Sequence, residues 1–195
     1  MIDRSTAHRD AQGRHSSVGI DGWLSRWLPL VLALLSAGQI VHAADAPTWK
    51  AGTSREIITP EKSVWLAGYG TRRPPDGKLH ELWMKALALE APDGERVVFI
   101  TSDFQGVPRS MSDRAFALLK EECGLERRNV LLTFSHNHCG PRLGDDLIDY
   151  YPVDEEQEKL VAEYTDAMVD RTVKLVKAAL AELAPANLQQ GEGRC

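Results

Sequence analysis

Cysteine is scarce. The three residues Cys123, Cys139 and Cys195 form an odd set at wide spacing, which excludes a disulfide framework and a zinc-ribbon pattern. Free or buried thiols fit better than a Cys123–Cys139 bridge, which would tie a helix end to a position just after a His-x-His segment. Also missing is an apolar run long enough for a stable bilayer span, which takes about 20 residues. The longest candidate, Trp27 to Leu35, extends at most to Val41, and Ser36, Gly38 and Gln39 dilute it. Basic charge is not in excess: the formal net charge of −5 argues against nucleic acid as the main partner. No internal repeat occurs. What is present, 43% hydrophobic and 26% charged residues, is enough apolar surface for an ordinary globular core.

The short apolar run follows Arg4, Arg9, Arg14 and Arg26 and precedes Val41-His42-Ala43, which offers small residues at cleavage positions. This is the chemistry of an export signal. Residues 1–43 are therefore expected to be a signal peptide and 44–48 a linker, with a periplasmic or extracellular mature chain. An uncleaved membrane anchor is the alternative. Cleavage changes the histidine census, because His8, His15 and His42 leave with the signal. Only His80, His136 and His138 remain, two of them in one tripeptide.

Trp49 to Ile58 reads as a first strand, closed by Thr59-Pro60. Gly68 to Gly77 is too rich in glycine and proline for regular structure and is expected to be a shaped, exposed loop. Met84–Ala91 and Arg96–Ser102 read as a hairpin turning at Pro92-Asp93-Gly94-Glu95. The run Val97-Val98-Phe99-Ile100 is apolar on both faces, which predicts a central strand covered by helices on each side. A helix capped by Ser110 or Ser112 and ended by Gly124 follows, then a strand from Asn129 to Ser135. A last helix starts at Asp154, whose spacing to Gln157 resembles a capping box, and runs to Leu183. Its expected packed stripe is Leu160, Tyr164, Met168, Thr172, Leu175, Ala179 and Leu183. Asn187 to Gly193 is expected to begin another strand after Pro185. The order predicts an α/β fold, a mixed β-sheet layered with α-helices, and an edge lacking its next strand points to an incomplete domain.

Chemistry concentrates in Ser135-His136-Asn137-His138-Cys139-Gly140-Pro141, at the carboxyl end of the second buried strand. In extended chain, alternate side chains share a face, so His136 and His138 would project together with Cα atoms roughly 6–7 Å apart. Two neutral imidazoles and a further donor begin a catalytic zinc site with an open position for water. Ligands of α/β sheets also gather beyond strand carboxyl ends. Asp103, ending a neighbouring strand, could orient a ligand imidazole or merely solvate the strand end. Arg142 follows the turn closely enough to bind an anionic or carbonyl oxygen. His80 could approach the same pocket, although a surface hydrogen bond suits it as well, and Asp145 and Asp146 read as loop solvation.

The order of these segments resembles the N-terminal domain of neutral/alkaline non-lysosomal ceramidases. Gly52 through Ile58-Thr59-Pro60 is similar to that family's opening strand, Ala67-Gly68-Tyr69-Gly70 to its GYG loop, and Met84 to Leu89 to its Ala-rich strand. Ser102-Asp103 resembles its polar strand end, and His136 to Pro141 its HTHSGP segment. The resemblance implies a zinc-dependent N-acyl amide hydrolase acting on a lipid substrate, with peripheral membrane contact. It implies His136 as zinc ligand and His138 as an active-site histidine touching the reacting groups. Asn137 for threonine and Cys139 for serine depart from the pattern and put ceramide itself in doubt. In the family another histidine, a glutamate, a tyrosine and the catalytic serine lie downstream, so the resemblance covers the first part of an enzyme. Two other readings stay open. One is a noncatalytic truncated or binding module with half a metal site, and the other is a different metallohydrolase.

Overall fold

A computed structural model describes residues 48–193. The signal peptide expected over 1–43, and residues 44–47 of the expected linker, lie outside the described residues. Among the described residues no helix is long and apolar enough to cross a membrane.

Five strands form one sheet: β1 (Trp49–Ile57), β2 (Trp83–Glu90), β3 (Arg96–Ser102), β4 (Val130–Phe134) and β5 (Ala184–Ala186), in the spatial order β4-β3-β2-β1-β5. Helices α1 (Arg109–Cys123) and α2 (Glu155–Ala181) complete the fold. β1, β2, β3 and β5 pair antiparallel, whereas β3 and β4 are parallel. A parallel pair needs a long crossover, and α1 supplies it. The sheet is mixed, as the sequence predicts.

Local chemistry explains most element ends. The β2–β3 turn closes on Gly94 at φ 88°, and Ala91 and Glu95 pair across it. Helix α1 starts at Arg109 with Pro108 at its N-cap, earlier than a serine cap would place it, since the proline ring already fixes the backbone entering the helix. Gly124, at φ 68°, ends α1 as a left-handed cap. The Asp154 side chain accepts from the Gln157 N–H, and three glutamates in the first turn complement the helix dipole. The Gln157 amide does not return to the cap. It accepts from the Trp65 N–H and donates to the Ser63 carbonyl, fixing the loop after β1.

Both helices cover one face of the sheet, and the core between them includes Met84, Ala88, Val98, Ile100, Leu119 and Val176. On α2 the expected stripe is less than half of what is buried. Met168, Thr172, Leu175 and Ala179 are joined by Val161, Thr165, Val169, Val173 and Val176, while Leu160, Tyr164 and Leu183 stand half-buried. A helix laid between a sheet and a second helix buries a wider arc than a narrow seam. The fit against β1 is close: a Cβ on Gly52 would lie 2.1 Å from the Ala179 carbonyl oxygen.

Two expectations are corrected. β3 is not covered on both sides, because Val98 and Ile100 face the helices while Val97 and Phe99 are exposed on the opposite face. The last strand is not Asn187 to Gly193, which is irregular. Instead β5, Ala184–Ala186, pairs with β1 at the sheet edge, where Pro185 needs no ladder donor.

Candidate active site

The sheet ends β4 at Phe134, but pairing to the β3 side continues through two more residues. The Ser135 N–H donates to the Ser102 carbonyl and the His136 N–H to that of Phe104. His136 then takes φ 55°, a left-handed conformation rare for a residue with a Cβ. The two histidines therefore do not share a strand face. The turn brings them together, with ring centroids 5.1 Å apart and the two Nε2 atoms separated by 3.5 Å.

Asn137 holds this turn. Its Nδ2 donates to the Asp103 carbonyl and to Ser135 Oγ, and its Oδ1 accepts from the Cys139 N–H. The following Gly140 packs so closely that a Cβ would stand 2.9 Å from the Asp103 carbonyl oxygen. Pro141 bridges Leu66, the Ala67 N–H donates to Gly140, and the Arg142 N–H donates to Trp65. The histidine segment and the glycine loop are thus laced together.

Each imidazole has a distinct setting. His136 Nδ1 lies 2.6 Å from the Gln105 carbonyl oxygen, which can only accept, so Nδ1 carries the proton and Nε2 presents a lone pair. The His138 ring rests on the bare backbone of Gly68, where a Cβ would fall 2.3 Å from Nδ1, and Tyr69 packs edge-on at 4.6 Å. His138 Nδ1 is buried with no partner. The Gly68 N–H donates to Tyr151 Oη at 2.6 Å.

Of the residues singled out from the sequence, the structure brings His136 and His138 together and puts Arg142 on the adjoining wall. Arg142 is only 6% exposed, with its guanidinium 4.3 Å from the Tyr151 ring centroid. Asp103 does not orient an imidazole, since its carboxylate accepts from the Trp83 N–H, and Gln105 serves His136 instead. His80 is exposed and bonds the Glu81 carbonyl. Cys123 and Cys139 are free thiols. Asp146 is more than loop solvation: burial pushes its carboxyl up, while Arg142 and His136 pull it down. Burial likewise raises the Tyr151 phenol, against the Gly68 N–H. Gln105 and Tyr151 carry no sequence signal, because both act through contacts between distant segments.

His136 fits zinc through Nε2, and His138 Nε2, 3.5 Å away, stands close enough to touch a group bound there. His136 also donates its other nitrogen to a carbonyl, as metal-bound histidines do. Among the described residues no group of three or more His, Cys, Asp or Glu side chains could hold a metal ion. His136 is thus the candidate metal ligand among the described residues, with His138 beside it.

The family model described as neutral/alkaline non-lysosomal ceramidase, N-terminal, matches residues 49–195. No curated protein matches the chain. Solved ceramidase structures resemble it. The neutral ceramidase of Pseudomonas aeruginosa is 23% identical, with a TM-score of 0.56 over 72% of this chain and 23% of its own. A ceramidase complexed with C2 is 26% identical, with a TM-score of 0.59 over 71% of this chain and 22% of its own. The chain spans less than a quarter of the length of either.

Proposed function

Because the chain belongs to the neutral/alkaline non-lysosomal ceramidase family, we propose that it is the N-terminal part of a zinc-dependent hydrolase of N-acyl amide bonds. The observation carrying this reading is the pair of Nε2 atoms 3.5 Å apart, one of them with its tautomer fixed by a backbone carbonyl.

The two histidines divide the work by how firmly their protons are held. His136, with Nδ1 committed to Gln105, has one nitrogen to offer and is the metal ligand. His138, with Nδ1 unpartnered, is free to hold a proton at either nitrogen, which suits a group that gives or takes a proton at the reacting centre or bonds a developing oxyanion. Zinc at such a centre lowers the pKa of a bound water and polarises an amide carbonyl. The remaining donors come from polypeptide other than residues 48–193, so the 195-residue chain by itself is inactive. The substrate is a lipid-like N-acyl amide met at a membrane or micelle surface, and residues 1–43 direct export.

Zinc content and N-acyl amide hydrolysis, measured on the intact protein and on His136→Ala, test the reading. Loss of the metal together with a fall in kcat/KM of about 100-fold or more is expected, in line with removal of a group holding the reacting centre. Unchanged hydrolysis in His136→Ala overturns it.

A further inference from the structure

The two imidazoles are held in different ways. His136 is anchored at Nδ1 by the Gln105 carbonyl. The His138 ring has no such anchor, because Nδ1 is enclosed without a partner and Nε2 meets only His136 Nε2, 3.5 Å away and too far for a firm hydrogen bond. Arg73 donates to the His138 carbonyl, but a bond to the main chain does not fix side-chain torsions. Packing therefore sets where this ring stands. Its seat is the backbone of Gly68, so near that a Cβ there would fall 2.3 Å from Nδ1.

That seat is a strained piece of chain. Gly68, Tyr69 and Gly70 have φ of 85°, 63° and 63°, three left-handed residues in a row, a conformation that persists only where the surroundings enforce it. Up to Ala67 the enforcement is by backbone: the Leu66 N–H donates to Arg73 and the Ala67 N–H to Gly140. At Gly68 a side chain takes over. Among the described residues the partner of its buried N–H is Tyr151 Oη, at 2.6 Å. Tyr151 is itself buried, with the Arg142 guanidinium 4.3 Å from its ring centroid and Tyr150 edge-on at 5.4 Å. A ring gripped on its face and its edge makes the hydroxyl a fixed point. Phenylalanine would fill the same space, and what tyrosine adds is an acceptor for an N–H that has no water to turn to.

We propose that Tyr151 is a positioning residue for His138: its hydroxyl holds the Gly68 peptide, and the Gly68 peptide sets the place of the imidazole beside His136. The hold on the ring stands on the packing alone, whereas its effect on catalysis rests on the amidohydrolase reading above.

Tyr151→Phe removes the acceptor and keeps the ring. In the intact zinc-loaded protein, the His138 ring-proton resonances should move in this variant by more than those of His136, and zinc content should stay the same. Hydrolysis of N-dodecanoylsphingosine in mixed micelles should show kcat lowered by about tenfold with KM unchanged, as misplacement of a reacting group does. In a His138→Ala background the same substitution should lower kcat by no more than about twofold, because the group it positions is already gone. A merely structural role would instead lower kcat equally in both backgrounds, and that result overturns the proposal. So does an unmoved His138 ring, or a moved ring with unchanged kcat. Should Tyr151→Phe not fold, hydrogen exchange in the wild-type protein decides: the Gly68 N–H should exchange at least about 100-fold more slowly than an unstructured glycine amide, and rapid exchange removes the hold. A displaced ring in Tyr151→Phe with no cleavage by the wild type keeps the hold and removes the amidohydrolase. Cleavage by the wild type with an unmoved ring in the variant does the reverse.

Discussion

At the scale of single residues, the site depends on backbone conformations that side chains disfavour. Gly68, Tyr69 and Gly70 are consecutive left-handed residues, and His136 is a fourth nearby. Gly68 has two reasons to be glycine, its φ of 85° and the His138 ring lying where a Cβ would go. Gly94, at φ 88°, has the same backbone need but open space around it. The pair makes a controlled comparison. Gly94→Ala should cost about 1–2 kcal/mol of stability, the ordinary penalty for a left-handed residue with a Cβ, and leave activity intact. Gly68→Ala should cost at least as much and also displace His138, lowering kcat/KM by more than about tenfold, as misplacement of a reacting group does. Urea unfolding beside steady-state kinetics reads both, and a Gly68→Ala variant with wild-type kcat/KM would remove His138 from the chemistry.

Among the elements, β1, β2 and β3 are joined near the β2–β3 turn by one carboxylate. Glu90 faces Lys50 in the β1–β2 register and Arg96 in the β2–β3 register, and it bonds both at 2.7 Å. Lys50, then Arg96, holds its carboxyl below the usual range. A carboxyl whose folded pKa is depressed adds stability above the unfolded glutamate value, about 4.3. That contribution disappears as pH falls through the lower folded value. The difference in urea midpoint between wild type and Glu90→Gln should therefore be full at pH 6 and shrink below about pH 4. A difference that stays constant from pH 6 to pH 3 would show that the charge has no part in it. The reach across three strands also shows why sequence spacing did not single out Glu90, since Lys50 and Glu90 meet only through register.

For the whole described molecule, the main asymmetry is between the two faces of the sheet. One is packed against α1 and α2, while the other carries Leu87, Phe99 and Leu131 in adjacent register, the last two 39% and 52% exposed. An apolar row on an open sheet face is a surface for association. The 195-residue chain should bind a hydrophobic-surface dye, and Phe99→Lys with Leu131→Lys should reduce that binding without lowering the urea midpoint. Equal dye binding by the double variant would locate the apolar surface elsewhere. The pattern Val97-Val98-Phe99-Ile100 had announced two apolar faces correctly. What covers the second one is not written in the strand.

The sequence by itself determined where β1 to β4 and the two helices lie, though not β5, because alternation, turn glycines and the Asp154 cap act over a few residues. It also marked His136 and His138, since two imidazoles two residues apart after an apolar strand is a local pattern. Only the tertiary structure decided how they meet. The left-handed turn at His136, the Gln105 carbonyl that fixes one tautomer and the Gly68 backbone beneath the other ring join segments 31 and 70 residues apart in sequence. The burial of Arg142 was decided the same way, by the packing of the Gly68 loop and Tyr151 around it. Local propensity places elements, whereas proton positions and buried charges depend on which distant groups arrive beside them.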